Sequence, residues 1–310
     1  MSINVLFAAR PDRWSSYEPS LRAAFAERDL PVTLSQEMPP ETVDYIIYAP
    51  NSPLQDFTPY ARAKAVLNLW AGVEQIVGNP TLKIPLARMV DPGMTQSMTE
   101  WVTGHVMRYH LGMDRHIVNP GHVWQAHTPP LASERRVCIL GMGALGSAVA
   151  EKLITIGFEV HGWSRRKKDI AGVTTHHGEA GLEQALRVAQ ILVLLLPDTP
   201  ATEDILNART IGHLPQGAFV INPGRGPLID DTALMAALDN GKLAGATLDV
   251  FRVEPLPEAH PFWAHPKVTV TPHIAAETRP STAARVIAEN IQRGETGAPL
   301  LNLVDRDSGY

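Results

Sequence analysis

The chain has 310 residues, 45% of them hydrophobic and 19% charged, and a formal net charge of −5. Those values suit two ordinary globular domains and argue against nucleic acid or an anionic membrane as the main partner. The single cysteine, Cys138, excludes an internal disulfide. With no signal-peptide pattern at the N-terminus, a reducing cytoplasm is expected, and no apolar run reaches the roughly 18 residues of a membrane span.

In chain order, residues 3–9, 44–50 and 65–70 read as buried strands, with an amphipathic helix over 17–28 between the first two. That alternation predicts a parallel sheet flanked by helices. One long helix is expected over 94–113. A second series follows: a strand at 137–140, a helix at 147–155, and strands at 159–163, 191–196, 218–222, 246–251 and 268–271. The run 191–196 is apolar throughout, as for a strand covered on both faces. A last helix at 281–293 is expected to cross back onto the first domain, ahead of an irregular tail.

The strand at 137–140 runs straight into Gly141-Met142-Gly143-Ala144-Leu145-Gly146 and then a helix. G-x-G-x-x-G alone is a weak signal; between a strand and a helix it predicts a dinucleotide loop. Gly141 permits the tight turn, Gly143 lets the backbone approach a pyrophosphate, and Gly146 allows close helix–strand packing. The helix start, with its free N–H groups and dipole, attracts the phosphates. At the end of the next strand, an NAD enzyme would usually carry a carboxylate for the ribose 2′-hydroxyl. Here stand Ser164, Arg165, Arg166, Lys167 and Lys168. A charge run is ordinarily a solvated turn. With no carboxylate to repel a 2′-phosphate and four cations to hold one, NADPH (NADP+) is the preferred cofactor, and NADH is left open.

Reduction of a keto acid needs a cation for the substrate carboxylate and a proton donor of suitable pKa for the developing alkoxide. Three candidates lie just past late strands: Arg225 in Asn222-Pro223-Gly224-Arg225-Gly226, Glu254 after Asp249-Val250-Phe251, and His273 in Thr271-Pro272-His273. Ligands of open α/β sheets bind at such carboxyl ends. Each residue alone would be an ordinary surface side chain; their order after the dinucleotide loop makes them catalytic candidates.

At these residues the chain resembles the D-isomer-specific 2-hydroxyacid dehydrogenase family, most strongly over residues 136–276. Trp163-Ser164-Arg165, Asp249-Val250-Phe251 and the ending Val304-Asp305-Arg306 to Gly309-Tyr310 point to its glyoxylate/hydroxypyruvate reductase branch. The resemblance implies two Rossmann-like or flavodoxin-like parallel-sheet domains with an interdomain active-site cleft and a hinge at the two crossings. The substrate domain is placed at residues 1–98 plus 281–310 and the NAD(P)-binding domain at 99–280. It implies that Arg225 holds the substrate carboxylate and keto oxygen, that His273 is the general acid, and that Glu254 orients the imidazole and raises its pKa. Gly72 and Val73 would bind the carboxylate through backbone N–H groups, with Trp70, Tyr48 and Arg279 as further substrate contacts. Leu196, Pro197, Pro223, Gly224, Asp249 and Ala275 would join the glycine loop and the cationic turn in holding the cofactor, Asp249 at the nicotinamide carboxamide. Pro223 departs from the family pattern, because it removes a backbone donor where small residues are commoner. A homodimer is implied, with residues 107–124 reaching a partner subunit.

The histidines, including His105, His110, His176 and His177, lack the spacing of a zinc site, so no metal is expected. No G-x-S-x-G elbow is present, which argues against a hydrolase. The activity expected is NADPH-dependent reduction of glyoxylate or hydroxypyruvate to a D-2-hydroxy acid. Two alternatives stay open: a non-catalytic dinucleotide-sensing protein of the same fold, and an NAD-dependent dehydrogenase acting oxidatively on another small acid.

Overall fold

The computed structural model describes residues 2–117 and 121–306. Residues 118–120, inside the segment expected to reach a partner, and 307–310, at the end of the C-terminal match, lie outside the described residues. The elements in order are β1 (Ile3–Ala8), α1 (Trp14–Ala26), β2 (Val32–Ser35), β3 (Tyr45–Tyr48), β4 (Ala65–Asn68), α2 (Glu74–Val77), β5 (Leu86–Ala87) and α3 (Pro92–Leu111). Then come α4 (Asp114–Ile117), β6 (Arg136–Leu140), α5 (Ala144–Ile156), β7 (Glu159–Ser164), β8 (Val173–His177), α6 (Gly178–Val188), β9 (Ile191–Leu194) and α7 (Ala208–His213). The chain continues through β10 (Ala218–Asn222), α8 (Asp231–Asp239), β11 (Leu243–Leu248), β12 (Val268–Val270) and α9 (Pro280–Thr296).

The chain divides into two compact units, Met1–Met94 with Thr278–Tyr310, and Thr95–Glu277. Both divisions fall a few residues before the expected boundaries. The first unit holds a parallel sheet in the order β2-β1-β3-β4-β5, a flavodoxin-like arrangement. β3 and β4 are buried along their whole length, as strands covered on both faces must be. α9 packs on α1 through a stripe of Ala283, Ala284, Ile287, Ala288 and Ile291. The i, i+3, i+4 spacing puts these side chains on one face, and burying each isoleucine contributes roughly 1.5–3 kcal/mol. Arg28 ties the two helices by donating to Gln292 at 2.6 Å and pairing with Glu289 at 3.3 Å. The tail is less irregular than its sequence suggests. Leu303 bridges Ala87 in antiparallel sense, Val304 N–H donates to Leu86 at 2.8 Å, and the Arg306 guanidinium bonds the carbonyls of Leu82 and Ile84.

The second unit holds a parallel sheet in the order β12-β11-β10-β9-β6-β7-β8. Read from β8, this is the Rossmann order with one strand added at the far edge. Alternate residues feed two cores, as the pleat requires. Val137, Ile139, Ile191 and Val193 pack with Val102 and Val106 of α3 and Val149 and Leu153 of α5. Cys138, Leu140, Leu192 and Leu194 pack with Leu186 of α6, Ile211 of α7 and Leu234 of α8. The strand expected at 246–251 is shifted to Leu243–Leu248. A register irregularity pairs Ala218 with Leu243 but Phe219 with Gly245. Asp249 N–H still donates to the Asn222 carbonyl at the end of β10 at 3.0 Å, while its carboxylate bonds the loop after β12, and there the chain leaves the sheet.

Candidate active site

The strand order reverses between β6 and β9, and the glycine loop sits there, at the switch point where such sheets bind ligands. Its glycines answer three different constraints. Gly141 has φ +109°, and a Cβ on it would stand 2.3 Å from the Leu195 carbonyl oxygen. A Cβ on Gly146 would stand 2.0 Å from the carbonyl oxygen of Gly141, so α5 could not start where it does. A Cβ on Gly143 would meet nothing within 4 Å. Gly143 is an exposed N-cap, and the first-turn N–H groups of Ala144 and Leu145 that follow it are the kind that bind a phosphate. α5 starts at Ala144, three residues before the expected start, because the end of the motif is already helical.

At the end of β7, Ser164 Oγ donates to the Arg166 carbonyl at 2.8 Å and closes the basic turn. Arg165, Arg166, Lys167 and Lys168 are all exposed. Lys168 Nζ donates to the Met142 carbonyl at 2.5 Å, so this cation is bound back onto the glycine loop. Ser164, not a carboxylate, ends the strand, and the donor set of Ser164 and the exposed Arg165 and Arg166 fits a 2′-phosphate.

Arg225, Glu254 and His273 follow β10, β11 and β12. Asn222, 1% exposed, braces the Arg225 turn: its Nδ2 donates to the Arg225 carbonyl at 2.9 Å and its Oδ1 accepts from Gly224 N–H at 3.1 Å. Pro223 and Gly224 are buried beneath that turn, where a Cβ on Gly224 would stand 2.8 Å from Leu194 O. Gly226 lets the turn close against the loop that carries Glu254. Arg252 straps the same two loops together, donating to Ile229 O at 2.7 Å and to Asp204.

His273 Nδ1 and Glu254 Oε2 are 2.7 Å apart, and Glu254 Oε1 accepts from Phe251 N–H at 2.9 Å. Because Nδ1 faces the carboxylate, Nε2 is left as the outward nitrogen. The hydrogen bond to Glu254 raises the His273 pKa against the opposing effect of burial, with the Glu254 charge adding to the rise and Arg225 reducing it. Burial alone would push the Glu254 carboxyl up. Its hydrogen bonds to His273 and Phe251, with the charges of His273 and Arg225, outweigh that and hold it below its ordinary value. Arg225 is thus within electrostatic reach of both partners.

His273 has φ +55°, a left-handed conformation that costs a non-glycine residue on the order of 1–3 kcal/mol. Asp249 holds it there. The Asp249 carbonyl accepts from His273 N–H at 2.8 Å, and its carboxylate accepts from Thr271 Oγ1 at 2.5 Å, Ile274 N–H at 3.0 Å and Ala275 N–H at 2.9 Å. Asp249 is 0% exposed. Its carboxylate braces the loop that carries His273. Leu196 and Ala275 are nearly buried, and Pro197 is partly covered with its carbonyl bonded to Thr202 Oγ1 at 2.6 Å.

In the first unit, the loop after β4 carries Trp70, Gly72 and Val73. Among the described residues, the N–H groups of Ala71, Gly72 and Val73 meet no hydrogen-bond acceptor. Tyr48 ends β3. It is 1% exposed, its ring packs edge-on to Phe57, and its hydroxyl accepts from Gln55 Nε2 at 3.4 Å. Its ring belongs to the core cluster around Phe57 and Val66. Arg279 is exposed at the N-cap of α9, in the first unit. Asn68 and Asn222 escaped the sequence reading; an asparagine at a strand end, just before a glycine-bearing turn, is the signal that marks them.

A Rossmann-ordered unit with a glycine loop at its switch point and an Arg, a Glu and a His at successive strand ends defines a nucleotide-dependent dehydrogenase architecture. The chain belongs to the D-isomer specific 2-hydroxyacid dehydrogenase family, whose NAD binding domain it matches over residues 105–275. It is 42% identical over 257 residues to glyoxylate/hydroxypyruvate reductase A of Serratia proteamaculans (strain 568), covering 80% of this chain and 82% of that protein. Among solved structures, a D-isomer specific 2-hydroxyacid dehydrogenase from Xanthobacter autotrophicus Py2 in complex with NADPH and MES superposes with a TM-score of 0.93 at 40% identity, covering 100% of both chains. The NADPH-dependent glyoxylate/hydroxypyruvate reductase of Sinorhizobium meliloti, in complex with NADP and sulfate, gives 0.85 at 34% identity, covering 100% of this chain and 99% of that one. Among the described residues no helix is long and apolar enough to cross a membrane, and no group of three His, Cys, Asp or Glu side chains could hold a metal.

Proposed function

We propose that this chain is an NADP-dependent oxidoreductase that reduces small 2-keto acids of the glyoxylate and hydroxypyruvate class to D-2-hydroxy acids. The observation that carries the proposal is the hydrogen-bonded His273–Glu254 pair, 2.7 Å across, with Arg225 in electrostatic reach. The reductase relatives and the NADPH- and NADP-bound neighbours support the same activity and cofactor.

NADPH, when bound, supplies the hydride for the keto carbon. The open face of Gly143 and the first turn of α5 would hold its pyrophosphate, with Ser164, Arg165 and Arg166 at the 2′-phosphate. Arg225 binds the substrate carboxylate with its planar fork and polarises the keto oxygen. His273 gives the keto oxygen a proton from Nε2 as negative charge develops there. Glu254 keeps the imidazole oriented and raises its hold on the proton it delivers. In the first unit, the free N–H groups of Gly72 and Val73 bind the carboxylate, flanked by Trp70. The proposal includes a cytoplasmic setting, suited to a chain whose one cysteine is buried. It also includes a homodimer, in which a second copy covers exposed Leu111, Met113, Ile117, Val123 and Trp124.

The test is NADPH oxidation with a panel of 2-keto acids, by the wild-type chain and by His273→Ala. Turnover with glyoxylate or hydroxypyruvate is expected, with kcat lower by about 10²–10⁴ in the variant. Tight NADPH binding with no turnover of any keto acid would point to a dinucleotide-sensing protein instead.

A further inference from the structure

We propose that Asn68 is a positioning residue for keto-acid binding: its side-chain amide, clamped on the carbonyls of Trp70 and Gly72, sets the direction of the N–H groups that receive the substrate carboxylate. Asn68 ends β4 and is 1% exposed. Its Nδ2 donates to the Trp70 carbonyl at 2.9 Å and to the Gly72 carbonyl at 3.0 Å.

In a trans peptide the carbonyl of one residue and the N–H of the next point in opposite directions. Holding the Gly72 carbonyl inward therefore aims the Val73 N–H outward. Holding the Trp70 carbonyl does the same for Ala71. The peptide carrying the Gly72 N–H lies between two fixed planes and has little freedom left. A third restraint comes from Thr278, whose Oγ1 donates to the Leu69 carbonyl at 2.8 Å, while Met89 N–H shares the Trp70 carbonyl at 3.0 Å. The carbonyls of Leu69, Trp70 and Gly72 are thus held, and the N–H groups of Ala71, Gly72 and Val73 are left without an acceptor among the described residues.

The other end of the amide shows which half matters. Asn68 Oδ1 is buried with no hydrogen-bond partner, a cost that an apolar side chain would avoid. The donors justify the residue. Such local conflicts between burial and satisfaction are expected where a fold serves a site.

The proposal rests on the keto-acid activity above, so the wild-type chain is assayed first, and its failure to turn over glyoxylate would remove that activity rather than the role of Asn68. With turnover established, Asn68→Ala should raise the glyoxylate KM by about 10–100-fold, with kcat changed by less than about threefold and the NADPH KM unchanged, since uniform binding has been lost. Inhibition by oxalate, a dicarboxylate with no keto carbon to reduce, should weaken in parallel. If Asn68→Ala does not fold, Thr278→Val decides the matter; it keeps the side-chain volume, removes one restraint and should raise the same KM by about two- to tenfold. An unchanged glyoxylate KM in the folded variant, or a matching rise in the NADPH KM, overturns the proposal.

Discussion

Gly226 and Phe251 touch through their backbones: a Cβ on Gly226 would stand 2.0 Å from the Phe251 carbonyl carbon and 2.3 Å from its oxygen. The contact brings the turn after Arg225 against the loop before Glu254, so the spacing of the catalytic candidates depends on a missing side chain. Gly226→Ala must push the two loops apart. Because misplacement by about 1 Å can cost on the order of 100-fold in rate, kcat/KM for the keto acid should fall by about that factor. Steady-state kinetics beside a thermal melt will show whether activity falls while the fold holds.

The His273–Glu254 pair gives a pH signature. The His273 pKa is raised in the folded chain and that of Glu254 is lowered. The stability from His273 is fully present below its unfolded pKa and is lost as pH rises through the folded value. The stability from Glu254 is present above its unfolded pKa and is lost as pH falls through the folded value. The pair therefore holds in the window above the lowered Glu254 value and below the raised His273 value. In Glu254→Gln the charge that keeps His273 protonated is gone. The alkaline limb of the reduction profile should move to lower pH, and an unmoved limb would show that His273 is not the titrating acid.

The glycine loop separates folding from binding. Gly146→Ala would place a Cβ 2.0 Å from the Gly141 carbonyl oxygen, and such overpacking costs about 1–3 kcal/mol. Its melting temperature should fall with or without cofactor. Gly143→Ala meets nothing within 4 Å, so the melt should stay put while the NADPH dissociation constant rises. Calorimetry on the two variants checks both halves.

Cofactor choice should follow the basic turn. Ser164→Asp with Arg165→Ala adds a carboxylate for a ribose hydroxyl and removes a phosphate donor. The ratio of kcat/KM for NADPH over NADH should drop by about 10–100-fold. A constant ratio would show that the turn does not read the 2′-phosphate.

The sequence was most legible where one face of an element is strongly apolar. β10 lies at residues 218–222 as expected, and α9 extends the expected 281–293 to Pro280–Thr296. β8, Val-Thr-Thr-His-His, is an edge strand with no fully buried residue, and β2 buries only Leu34. Neither carries the hydrophobic signal that marks a strand. At the site, residue type and order indicated Arg225, Glu254 and His273, because their chemistry is read from the side chain alone. What holds them was hidden. The four hydrogen bonds converging on Asp249 depend on how β11 and β12 lie side by side, and nothing local in Asp249-Val250-Phe251 tells a loop brace from a ligand contact. The same holds for Tyr48: a tyrosine at a strand end reads alike whether its ring lines a pocket or packs on Phe57.

The first unit draws on both ends of the chain. β1 to β5 come from residues 1–94, whereas α9 and the tail that bridges Ala87 come from residues 278–306. During synthesis on the ribosome, residues 95–277 have all their strands before α9 emerges, while the earlier-made sheet waits with α1 uncovered and β5 unpaired on one side. Translation order thus sets the later-encoded nucleotide unit to mature first, and the waiting sheet edge is where a nascent chain of this kind would call for a chaperone.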